Sequence, residues 1–158
     1  MDVYLMQHGV AMPAEEDPAR PLSASGHAEV ERVARRAATS GIAIGRCIHS
    51  GKLRAEQTAR VLGEAVGAVI EGREGLSPSD PVGPLVDWLR RAAEPASPPS
   101  IAIVGHLPFL DRLAGVLVAG DENARPVRFR NAGLVKLVPK AEGSGYAVEW
   151  ILTPELAV

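Results

Sequence analysis

Two short segments of the chain are almost wholly apolar: residues 2–7, DVYLMQ, and residues 100–105, SIAIVG. Runs of this length without polar alternation predict strands buried on both faces. Between them the pattern changes period. Val30, Val33, Ala34 and Ala37 recur at helical spacing, which predicts a helix capped by Ser23 or Ser25, running to about Ser40 and stopped by Gly41. IGRCIHS, 44–50, reads as a second strand, and KLRAEQTARVLGEAVG, 52–67, as a second helix with Leu53, Ala59, Leu62 and Val66 facing inward. A short strand at 68–71, a helix at about 82–93 and a helix at 108–120 with Pro108 at its first position complete the alternation. Residues 10–22, with Pro13, Pro18 and Pro21, predict a loop. Two or three strands close the chain, at about 126–130, 133–138 and 146–152, with no helix between them.

Strands that alternate with helices predict an α/β fold, a three-layer α/β/α sandwich. Hairpin-connected strands at the end make its central sheet mixed, though mostly parallel. A length of 158 residues suits one domain spanning 1–158. Composition adds exclusions more than assignments. A net charge of −2 gives no reason to expect a nucleic acid or membrane partner. No apolar run approaches a membrane span, and no signal-like segment precedes the first strand. A single cysteine, Cys47, rules out an internal disulfide and fits a reducing compartment. The expectation is a cytoplasmic protein, monomeric and without a cofactor.

The candidate chemistry lies at strand ends. His8 follows the first strand and His106 follows the strand at 100–105; Arg54 stands in the first turn of the helix after the strand at 44–50. In open α/β sheets ligands bind beyond the carboxyl ends of the strands. If these three strands run parallel, two imidazoles and a guanidinium line one pocket. Arginine is a permanently charged fork suited to phosphate oxygens. A helix N-terminus adds donors for an anion. A neutral imidazole can attack phosphorus, and a second, protonated one can stabilise charge on the transferring group. No HExxH, Cys/His cluster or carboxylate-rich strand end suggests a metal.

These residues sit in motifs. Gln7-His8-Gly9, SGKLRAEQTA at 50–59, GHLP at 105–108 and RPLSASG at 20–26 together resemble the patterns of the histidine phosphatase superfamily, which includes the phosphoglycerate mutases, and in particular its small SixA-like branch of phosphohistidine phosphatases. The resemblance covers nearly the whole chain. It implies a phosphoglycerate mutase-like fold, with His8 as the nucleophile that becomes phosphohistidine and with Arg54 and His106 in the phosphate pocket. Gln7 stands where the family usually has arginine. Glutamine keeps a hydrogen-bond donor but removes a charge. Arg20, which belongs to the RPLSASG motif, or Lys52 could restore it. The branch implies a histidine-phosphorylated protein as partner, a phosphotransfer domain or a phosphotransferase carrier.

Many members of the superfamily use a carboxylic acid to protonate the leaving oxygen. The corresponding segment here, EGREGLSPSDP at 71–81, offers only Glu74 and Asp80, neither in a convincing pattern. An alkoxide leaves poorly without a positioned acid. Imidazole, whose conjugate acid titrates near ~6.5, leaves far more easily. The acid-poor site therefore favours phosphohistidine over alkyl phosphates. A small-molecule phosphomonoesterase and a non-catalytic phosphate or phosphoprotein binder, weakened by Gln7, are the alternatives. Cys47, His27, His49, Trp88 and Trp150 read as structural.

Overall fold

The computed structural model describes residues 1–93 and 100–158. Six strands form one sheet in the order β3-β2-β4-β1-β5-β6. The strands are β1 (Asp2–Gln7), β2 (Arg46–His49), β3 (Val69–Gly72), β4 (Ser100–Gly105), β5 (Leu134–Pro139) and β6 (Tyr146–Leu152), and the helices are α1 (Ala24–Thr39), α2 (Leu53–Val66), α3 (Gly83–Ala92) and α4 (Phe109–Ala119). β1, β4, β2 and β3 run parallel, while β5 is antiparallel to both β1 and β6. The sheet is thus mixed and mostly parallel, as the alternation predicts.

The chain steps outward from β1 to β2 to β3, then returns to insert β4 between β2 and β1. A right-handed crossover puts its helix on one face when the chain moves one way along the sheet and on the other when it moves back. α1 and α2 accordingly pack with Tyr4, Met6, Cys47, Ala102 and Val104 on one face. α3 and α4 pack with Val3, Leu5, Ile48, Ile101 and Ile103 on the other. Successive residues of β1 and β4 therefore serve opposite cores, which explains why neither strand shows polar alternation. The reversal at β1 and β4 is the topological switch point, where the carboxyl ends of neighbouring strands open a crevice.

Several local expectations are corrected. Residues 126–130 form no strand. Val127 and Phe129 are buried and Arg128 and Arg130 exposed, so the period of two is present, but β1 is already paired on both sides and Pro126 lacks a donor. Leu53 does not face inward but is exposed. Pro108 precedes α4 as its N-cap instead of opening its first turn. Of the two serines considered for α1, Ser23 is the cap, and its hydroxyl accepts from Gly26 N at 3.0 Å. His49 and Cys47 are buried, and His27 is exposed beside Glu31.

Candidate active site

His8, Ser50–Arg54 and His106 each follow the carboxyl end of β1, β2 or β4, three adjacent parallel strands. The sheet thus brings together the two imidazoles and the guanidinium expected from the sequence. The His8 and His106 rings stand 5.1 Å apart, centroid to centroid, tilted by 53°. Hydrogen bonds hold both main-chain polar groups of His8. Its N–H donates to Gly105 O at 3.1 Å, and its carbonyl accepts from Asn131 Nδ2 at 2.9 Å. The ring is fixed as well. Nδ1 donates to Gly9 O at 2.7 Å, which leaves the Nε2 lone pair free.

The following glycine is a requirement of packing. A Cβ on Gly9 would stand 2.7 Å from Val30 Cγ2 and 3.0 Å from Gly26 O, and one on Gly26 would stand 2.1 Å from Val10 O. The first turn of α1 thus presses directly on the backbone that carries His8. Ser23 clamps the contact, with its N–H donating to Val10 O at 2.9 Å. On the other side, buried Thr58 accepts from Gly9 N at 3.1 Å and donates to Arg54 O at 2.7 Å. One hydroxyl therefore ties the loop of His8 to the turn of Arg54. Gln57 accepts from Leu22 N at 2.8 Å and joins the 20–26 segment to the same helix.

His106 is buried, and its Nε2 lies 2.6 Å from Ser50 Oγ. Its Nδ1 and the Nε of Arg54 are buried without a hydrogen-bond partner. An unsatisfied buried polar atom costs about 1–3 kcal/mol. Two of them, in residues that follow the carboxyl ends of neighbouring strands, are a cost that a functional site would explain. No side chain caps the start of α2; the N–H groups of Ala55 and Glu56 donate back to Lys52 O, and those of Leu53 and Arg54, unpaired among the described residues, add to this set.

The field of the site is positive throughout. Burial lowers the His8 pKa below the ordinary 6.5, and the charges of Arg54 and Arg20 push it further down against the bond to Gly9 O. Burial first, then His8, Arg54, Lys52 and Arg20, lower that of His106 to about 3. Burial and Arg20 also depress Arg54. Among the described residues no carboxylate bears on any of the three. His106 is therefore neutral at pH 7 in the empty site; the protonated form expected for it requires an anion beside it. Arg20 itself is held in a left-handed conformation, φ 48°, with Nε donating to Met12 O at 3.2 Å.

The remaining candidates fall differently. By strand alternation Gln7 lies on the face of Val3 and Leu5, half-buried, and among the described residues its amide makes no hydrogen bond. Asp80 is committed to its own turn: its carboxylate accepts from Ser77 N at 2.8 Å, and its carbonyl accepts from Arg112. Glu74 is exposed. Ser50, Thr58 and Asn131 were not singled out from sequence. The first two stand inside SGKLRAEQTA, whose matched positions included them, whereas nothing in the sequence around Asn131 pointed to His8. Among the described residues no group of three or more His, Cys, Asp or Glu could hold a metal ion.

The model of the histidine phosphatase superfamily (branch 1) matches residues 3–80. An uncharacterized protein of Picosynechococcus sp. is 31% identical over 141 residues, 87% of this chain and 84% of that protein. The phosphohistidine phosphatase SixA of Escherichia coli (strain K12) is 29% identical over 157 residues, 98% of this chain and 94% of that one. The solved structure of the protein histidine phosphatase SixA complexed with tungstate superposes with a TM-score of 0.84 at 27% identity, covering 98% of this chain and 97% of that chain.

Proposed function

The chain belongs to the histidine phosphatase superfamily and is a phosphatase, and on that footing we propose that it removes phosphate from phosphohistidine on a protein, with the phosphoryl group carried transiently on His8. The observation that carries this reading is a pocket of His8, His106 and Arg54 on which, among the described residues, cations act and no carboxylate is placed to protonate a leaving group. Such a pocket attracts a phosphoryl dianion and suits a leaving group that needs no acid.

His8 is neutral at pH 7 and presents Nε2, because Nδ1–H is held by Gly9 O. In the first step the Nε2 lone pair forms a bond to phosphorus as the substrate's N–P bond breaks. The electron pair of that bond returns to the leaving imidazole, which takes a proton from solvent. In the second step water adds to phosphorus, the bond to Nε2 breaks with its pair returning to His8, and the proton released by water goes to solvent. Arg54 and the open N–H groups of α2 hold the phosphoryl oxygens. Beside that dianion the pKa of His106 rises, and the ring gains a proton to share with the transferring group. Arg20, whose charge reaches His8, Arg54 and His106, supplies the cation that Gln7 does not.

The test is phosphate release in the presence of EDTA from three substrates: free phosphohistidine, a histidine-phosphorylated protein and p-nitrophenyl phosphate. The expected result is turnover of both phosphohistidine substrates, at least tenfold faster than the phosphoester. The reverse order would point to a small phosphomonoesterase. Loss in EDTA with recovery on adding a divalent ion would overturn the metal-free reaction. No release from any of the three would leave a phosphate binder.

A further inference from the structure

Seven large hydrophobic side chains of the described residues are exposed, and three of them adjoin the pocket: Val10 two residues after His8, Leu53 immediately before Arg54, and Leu107 immediately after His106. None of the three joins the core on either face of the sheet. Each is nevertheless set on fixed backbone. The Val10 carbonyl takes both the N–H and the hydroxyl of Ser23, Leu53 opens α2, and Leu107 lies between buried His106 and the start of α4. Exposed aliphatic groups held rigidly lose little freedom on contact, which favours binding. They neighbour His8, Arg54 and His106 along the chain, and as apolar groups they cannot serve the phosphate itself.

The surface next to Leu107 continues as a concavity of about 310 Å³, floored by Val127 and Phe129 and edged by Arg125, Arg128 and Asp111. Neither arginine has an ion-pair partner among the described residues, and the concavity carries one more positive than negative group. Lys52, whose charge reaches His106, adds a further cation beside Leu53. Apolar contacts exclude water around a pocket, while rim cations select partners of opposite charge.

We propose that Val10, Leu53 and Leu107, with Arg125 and Arg128 beside them, dock the protein that carries the phosphohistidine, and that the rim selects one flanked by aliphatic and acidic side chains. This rests on the phosphohistidine reading above and adds to it what lies around the phosphate. A free phosphohistidine reaches the pocket without touching the rim, so the two can be separated.

The experiment compares kcat/KM for free phosphohistidine and for two synthetic phosphohistidine peptides of equal length, one with leucine and glutamate around the modified residue, the other with serine and lysine. Wild type is expected to prefer the leucine–glutamate peptide at least tenfold. The double variant Val10→Ser/Leu107→Ser should lower kcat/KM for that peptide about tenfold and change free phosphohistidine less than twofold. Arg125→Glu/Arg128→Glu should reduce or invert the preference for glutamate. Equal use of both peptides by wild type, with free phosphohistidine turned over, would overturn the docking rim and leave the phosphohistidine reading standing. Variants that lower all three substrates alike would also overturn it, since the rim would then be acting through the pocket. No turnover of free phosphohistidine would remove both.

Discussion

At the scale of single residues, His8 carries the most specific expectation. Its ring leaves the apolar strand, is half-buried and makes no contact on which the core depends, so His8→Ala should fold normally and lose turnover. Circular dichroism and phosphate release check this, and mass spectrometry of a rapidly quenched wild-type reaction should find phosphate on His8. Activity equal to wild type in the alanine variant would remove the nucleophile assignment. The pH dependence follows from the same ring. Because burial and two arginines lower its pKa below 6.5, kcat/KM should stay level through pH 6.5 and fall only at more acidic pH, where the lone pair is lost. His106, lowered to about 3 in the empty enzyme, should impose no loss on kcat/KM at neutral or alkaline pH. A kcat/KM that rises steadily towards pH 4 would contradict both roles. Gln7 is the adjustable position. Gln7→Arg would add a charge-assisted fork beside His8, and tungstate affinity measured by titration calorimetry should rise about tenfold, which corresponds to about 1.4 kcal/mol. Gln7→Ala should weaken binding if the amide donates to the anion. No change in either variant would mean that Gln7 does not face the pocket.

At the scale of elements, the site depends on how closely α1 approaches the end of β1. Gly26→Ala would place a Cβ 2.1 Å from Val10 O, a backbone atom held by Ser23, so neither side can yield cheaply. The expected loss is at least about 1–3 kcal/mol in chemical denaturation, the usual cost of overpacking. Activity should fall with it, because Val10 lies two residues from His8. Thr58→Val tests the other tether: it leaves Gly9 N–H buried and unpaired, at a cost of about 1–3 kcal/mol. An undiminished melting temperature in both would show that the loop is not clamped as described. These contacts also mark where the sequence was readable. Apolar runs at 2–7 and 100–105 fixed the two central strands, since burial on both faces leaves no alternative pattern. The alternation of strands and helices was enough to bring His8, Arg54 and His106 to one edge. Residues 126–130 misled because alternation reports which side chains are buried, not whether a neighbouring strand has a free edge. Leu53 misled for a related reason: an apolar residue in a helix's first turn need not share its buried stripe. The contact of Asn131 with His8 spans 123 residues and depends on the path of an irregular segment, which no local pattern encodes.

At the scale of the whole molecule, the pocket concentrates positive charge in a protein whose net charge is −2, and this links stability, pH and anion binding. The folded-state pKa of His106, about 3, lies below its unfolded value near 6.5, and that of His8 is displaced the same way. Above pH 6.5 both rings are neutral in both states and contribute nothing. As pH falls below 6.5 the unfolded chain takes up protons that the folded one refuses, so stability declines, and for His106 the decline continues to about pH 3. An anion in the pocket opposes this linkage, because it raises both pKa values and draws protons into the folded state. Sulfate, dianionic across this range, should therefore stabilise the protein more at pH 5 than at pH 7.5. The measurement is thermal unfolding by scanning calorimetry at both pH values, with and without sulfate at low millimolar concentration. Without sulfate the melting temperature should be lower at pH 5, and the increment caused by sulfate should be larger there. Arg54→Ala should abolish most of that increment, which separates binding in the pocket from a general effect of the salt. Equal increments at the two pH values, or an increment untouched by Arg54→Ala, would mean that the two histidines and Arg54 do not act on one bound anion.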